Sequence, residues 1–267
     1  MIGSGVASSL IHEVGHQGAA LLDLIESLRP ELQFRQHALS QDGSLWQLWE
    51  RWISEIVADF WSVSRVCLAA PLGLMGVVSL PRAFVFRINL DDPHPIPWIR
   101  VKLSCAMGAA LYPHPQWQQL ADTWELFYPL DELSPPRRQL IRQIEASIPA
   151  FIELLVKHQP NTLQNRSLGE VFALPDRYPE RLREQFHAWR RSPQSMKQAA
   201  PTLIFAAFGQ ARADGQLGPE EESRLVSSLL TEWARRSAIS VTEQCAGAQL
   251  QPGQSILANL DLSPQEV

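Results

Sequence analysis

The stretch ASSLIHEVGHQGAALL, residues 7–22, is small and apolar except around one pentapeptide, His12-Glu13-Val14-Gly15-His16. Leu10, Ile11, Val14, Leu21, Leu22 and Ile25 recur at helical spacing, which predicts a helix from Val6 to Leu28 closed by Arg29-Pro30. On a helix, residues four apart share a face, so His12 and His16 present two imidazoles one turn apart. Two ligands of one tetrahedral zinc ion need that geometry. Glu13 lies beside them, where it can take a proton from a water whose pKa the metal lowers to about 7. Burying two imidazoles and a carboxylate among apolar neighbours is costly without partners. Gly15 and Gly18 weaken the helix and leave room for a second backbone close by.

A third ligand is expected on a second helix, Ser44 to Val66, with Ser44 as its N-cap and Leu45, Leu48, Trp49, Trp52, Ile53, Ile56, Val57 and Phe60 as its apolar positions. Glu55 and Asp59 are four apart and share a face. Glu55 completes a His-His-Glu set, and Asp59 is placed to accept the other ring N–H of a liganding histidine. The alternative is a solvated acidic face. Trp46, Trp49, Trp52 and Trp61 read as core at helical spacing, whereas Trp98 is expected to line a cleft.

HExxH, then ExxxD, then a His-Pro turn followed by Arg resembles the gluzincin metallopeptidases of the HtpX and CAAX prenyl protease group. The parts here are His12 to His16, Glu55 to Asp59, and His94-Pro95 with Arg100. The resemblance implies zinc on His12, His16 and Glu55, Glu13 as general base, and a zincin-like two-helix metal site acting on a peptide or protein substrate. It also implies that His94 and Arg100 stabilise the oxyanion or brace the site, a role that a histidine or arginine aimed at developing negative charge can fill. The residues alone also allow His94 to cap its turn and Arg100 to pair with Asp91, Asp92 or Asp59. In that family a sheet with the substrate-binding edge strand precedes the HExxH helix, which here begins close to Met1. The expectation is that native residues precede Met1 or that the site lacks that edge.

The rest of the 267 residues bounds the class. With 45% hydrophobic and 19% charged residues the composition is that of a folded, soluble protein, and a net charge of −5 disfavours a nucleic-acid partner. Cys67, Cys105 and Cys245 form no CxxC pair, which points to a reducing compartment, the cytoplasm. No secretory signal is read at the start. The run Val66 to Leu80 is interrupted by Pro71 and two glycines and is shorter than the roughly 20 residues a spanning helix needs, so it reads as a buried segment without stable membrane insertion.

Arg82 to Leu90 carries strand-like residues, and a short helix is expected over Ile99 to Leu111 between proline turns. Asp131 to Pro136 marks the expected boundary between a metallopeptidase domain, 1–130, and a helical unit, 131–267, with a loose tail from about 247. Pro219 followed by Glu220, Glu221 and Glu222 predicts a helix start, and the ADG…E turn before it faintly resembles TerB-like modules. The sum is a mainly α protein with few or no strands, whose C-terminal helices are candidates for holding a protein partner. The competing reading is a non-catalytic helical scaffold that keeps zinc for stability.

Overall fold

The computed structural model describes residues 4–38 and 43–249, with side chains described over 5–38 and 44–239. The chain is mainly helical, and the described residues contain no strand. The helices are α1 (Ser4–Leu21), α2 (Leu24–Ala38), α3 (Gly43–Val66), α4 (Ala69–Val78), α5 (Arg82–Val85), α6 (Pro97–Leu111), α7 (Gln116–Phe127), α8 (Pro135–Lys157), α9 (Leu168–Phe172), α10 (Pro179–Arg191), α11 (Pro193–Gln198), α12 (Pro201–Ala213) and α13 (Pro219–Gln249).

The centre of the fold is α3. Trp49, Trp52, Ile56, Val57, Phe60 and Val63 are completely buried, the broad apolar face of an amphipathic helix turned into the core. It packs against α1, α2, α4, α6, α8, α9 and α12. Two of its polar tips are satisfied across these contacts: Trp49 Nε1 donates to Ser147 Oγ at 3.0 Å, and Ser62 Oγ donates to the Ser8 carbonyl at 3.1 Å. The tryptophan stripe is therefore core, with Trp46, Trp49 and Trp52 buried and Trp61 half-buried over α1.

Helix α1 reaches α3 at its glycines. A Cβ on Gly15 would stand 2.9 Å from Trp61 Cβ and 3.0 Å from Ala58 Cα, and one on Gly18 would strike the Trp61 ring at 2.5 Å. Because the Ala58 obstacle is backbone, Gly15→Val forces the helices apart, with an expected loss of about 1–3 kcal/mol. A lower urea midpoint at unchanged slope is the readout. An unshifted midpoint would mean that α1 does not seat on α3 as described.

Several expectations change. The single helix over Val6 to Leu28 is two, broken where Asp23 adopts φ +54, and α2 runs through Pro30 instead of ending at it. Ser44 lies inside α3. The strand-like run 82–90 begins with the helical turn α5, and Val85 and Phe86 turn inward. Trp98 is fully buried, its Nε1 donating to the Tyr128 carbonyl at 3.0 Å with Lys102 Nζ over its ring, so it does not line a cleft.

Compactness places residues 1–223 in one unit and 224–267 in a second. The expected boundary at 131–136 falls within the first, where α8 packs on α6 and α3. Of the second unit, the described part is the remainder of α13, and the tail from about 247 lies almost wholly outside the described residues. Pro219 and the three glutamates do begin α13. No described helix is long and apolar enough to cross a membrane. Cys67 and Cys105 are buried free thiols.

Candidate metal centre

Three segments far apart in sequence converge: His12, Glu13 and His16 from α1, Glu55 and Asp59 from α3, and His94 and Arg100 from the turn before α6 and its first turns. They line an open cleft of about 330 Å³, flanked by Leu74 and Val77 of α4.

The donor atoms lie close together. His12 Nε2 is 3.2 Å from His16 Nε2 and 3.3 Å from Glu55 Oε2, and His16 Nε2 is 3.4 Å from Glu55 Oε1. A tetrahedral ion with bonds of about 2.0–2.1 Å has donor-to-donor edges of about 3.3 Å. The two histidines meet different oxygens of Glu55 at distances of that size, and one ligand atom from each of the three residues lies within 4.8 Å of the others, so the spacing and the nitrogen and oxygen chemistry fit zinc. Among the described residues it is the one group of three that could hold a metal ion, and His94 is outside it. The group offers three protein donors, and all three residues line the cleft.

The surroundings hold the trio in place. His12 Nδ1 lies 2.8 Å from Asp59 Oδ1. Asp59 in turn receives Arg100 on both oxygens, Nε at 2.6 Å and Nη2 at 2.9 Å, and Nη2 also donates to Glu55 at 3.1 Å. Such forked pairing fixes a guanidinium in one plane. Of the three carboxylates considered for Arg100, the structure chooses Asp59 and adds Glu55. Asp91 pairs with Arg51 instead.

Burial is the largest influence on His12 and lowers its pKa. Contacts with Asp59 and Glu55 outweigh it and raise the value from 6.5 to about 9. A proton and a metal ion are alternative occupants of that imidazole. For Glu55 and Asp59 burial acts to raise the carboxyl pKa. His12 and Arg100 outweigh it, and both groups stay below their ordinary range.

His94 stands at the cleft rim, half exposed, with Nε2 3.5 Å from Glu55 Oε2. Its ring is gripped from behind, since Asp92 Oδ1 sits 2.8 Å from Nδ1 and accepts the His94 backbone N–H at 3.0 Å. Arg87 donates to the other Asp92 oxygen at 3.1 Å, and the buried Trp52 indole donates to the Asp92 carbonyl at 3.2 Å. Sequence reasoning considered Asp92 only as a partner for Arg100. Its position two residues before His94, in an Asp-Pro-His turn where a carboxylate accepts its own i+2 backbone N–H, is the signal that could have found it. Ser54, 3.4 Å from His16 Nδ1, was also missed and carries no sequence signal.

Glu13 is exposed on the cleft wall and makes no hydrogen bond or ion pair among the described residues. Its carboxylate is unencumbered, as a base must be.

No protein-family model, curated protein or solved structure matches the chain. The chemistry of the centre therefore rests on the residues that compose it.

Proposed function

We propose that the protein is a zinc-dependent metallopeptidase, with His12, His16 and Glu55 holding the ion and Glu13 as general base. The observation that carries this reading is the His12, His16 and Glu55 donor group, in mutual contact at 3.2–3.4 Å and lining a cleft that Glu13 also lines. When bound, zinc supplies Lewis acidity, polarising a carbonyl and acidifying water.

The chain's own residues do the rest. Glu13 removes a proton from the attacking water and returns it to the departing amine. Asp59 fixes the His12 ring, and Arg100 fixes Asp59 and Glu55 in turn. His94, half exposed and oriented by Asp92, is the group placed to meet negative charge developing on a substrate oxygen. Arg100 braces, because its Nε and Nη2 are engaged by Asp59 and Glu55. The buried free thiols of Cys67 and Cys105 support a cytoplasmic setting.

A structural zinc ion is closed by four protein ligands, whereas a catalytic one keeps a position open. Three donors with His94 outside the group favour the catalytic reading over the scaffold. The deciding experiment is elemental analysis of wild type and a His12→Ala/His16→Ala variant, purified without added zinc and again after zinc is offered. About one zinc per chain, absent from the variant, is expected for a three-ligand site. Wild type that takes up none in either preparation overturns the proposal.

A further inference from the structure

A second pocket, of about 200 Å³, adjoins the metal cleft, and His94 belongs to the walls of both. Leu80, Phe84, Pro95 and Ile96 supply its apolar lining, and Arg87 lines it too. Leu80 is 45% and Phe84 55% exposed, uncovered apolar surface at the end of the same chain segment whose Leu74 and Val77 flank the metal cleft.

This wall is held from behind. The Leu80 carbonyl accepts the Tyr128 hydroxyl at 3.0 Å, while Arg82 donates to the Pro129 carbonyl at 2.6 Å and pairs with Glu132 at 3.1 Å. Pro95 and Pro97 of the lining have little backbone freedom. A preformed concavity with apolar walls and a few polar groups at its edge is what a ligand site requires. His94 is the residue whose side chain the pocket shares with the metal cleft.

We propose that this pocket receives a large apolar side chain, leucine or phenylalanine in kind, from the substrate residue next to the bond placed at the metal centre. Arginine and lysine side chains are excluded, because Arg87 lines the pocket and only Asp92, already shared by Arg87 and His94, could answer their charge. This inference rests on the metallopeptidase reading, and its test separates the two.

The probes are the hydroxamates of N-acetyl-leucine, N-acetyl-phenylalanine and N-acetyl-glycine, titrated calorimetrically into zinc-loaded protein. The leucine and phenylalanine compounds are expected to bind about 10- to 100-fold tighter than the glycine compound, the worth of burying one such side chain. In Phe84→Ser, a change at an exposed position, this preference falls to a few-fold while affinity for the glycine compound is unchanged. A preference that survives Phe84→Ser, or no preference in wild type, overturns the inference.

A metal-free arm uses methyl-labelled protein and the corresponding N-acetyl amino-acid amides. Saturable movement of the Leu80 methyl resonances is expected with the leucine amide and not with the glycine amide, and it is lost in Phe84→Ser. If no hydroxamate binds because no zinc is taken up, the metallopeptidase reading fails. The amide titration then decides the pocket alone, and still Leu80 methyls overturn it.

Discussion

Replacing Glu13 by glutamine lowers hydrolysis of an unfolded protein substrate such as casein by about 10²- to 10⁴-fold, the usual worth of a general base, while zinc content stays at the wild-type level. The size follows from where Glu13 sits. It lines the cleft, is exposed and makes no hydrogen bond or ion pair among the described residues. Glutamine keeps its shape and removes only its basicity, so little else should change. Loss of activity together with loss of metal would instead make Glu13 a support for the site. A variant that binds zinc and hydrolyses casein as fast as wild type would sink the mechanism.

Asp59→Ala is expected to cost about 3–5 kcal/mol of folding stability, the penalty for leaving one partner of a buried ion pair alone. Arg100 is 14% exposed at its side chain and directs two nitrogens to Asp59, leaving Glu55 as its remaining acceptor once that carboxylate is gone. The same substitution frees the His12 ring to rotate, which predicts a zinc affinity lower by about 10- to 100-fold. Denaturant unfolding of the metal-free variant reads the first effect, and competition with a zinc chelator reads the second. Two independent losses from one carboxylate distinguish a shared support from a purely structural salt bridge. Unchanged zinc affinity would remove Asp59 from the metal site.

The part of the site written in short spacings was legible. His12 with His16, and Glu55 with Asp59, are pairs four apart, and helical geometry alone puts each pair on one face. Gly15 and Gly18 signalled the close helix approach that Trp61 and Ala58 now explain. Pairings across long stretches were not legible. Arg100 had three candidate carboxylates, and nothing local distinguishes Asp59 from Asp91, because that choice depends on how α6 lies against α3.

Tertiary context also overrode local signals. Pro30 reads as a stop, yet α2 continues through it with Leu24, Leu28 and Leu32 buried on both sides of the proline. The run at 82–90 is ambiguous in sequence, its alternation being imperfect, and with no strand to pair with among the described residues it begins with the turn α5. The real break, at Asp23, comes from a left-handed residue that Asp tolerates better than most and that no pattern announced.

The hydrogen bond from the Trp52 indole to the Asp92 carbonyl gives the molecule an optical gauge of its own. Trp52 is wholly shielded from water and sits one helical turn from Glu55. An indole shielded from water emits at short wavelength, and a paramagnetic ion such as cobalt bound by the neighbouring histidines is expected to quench it. Occupancy of the centre is thus expected as a partial loss of the intrinsic fluorescence, to which Trp52 contributes as one of nine tryptophans.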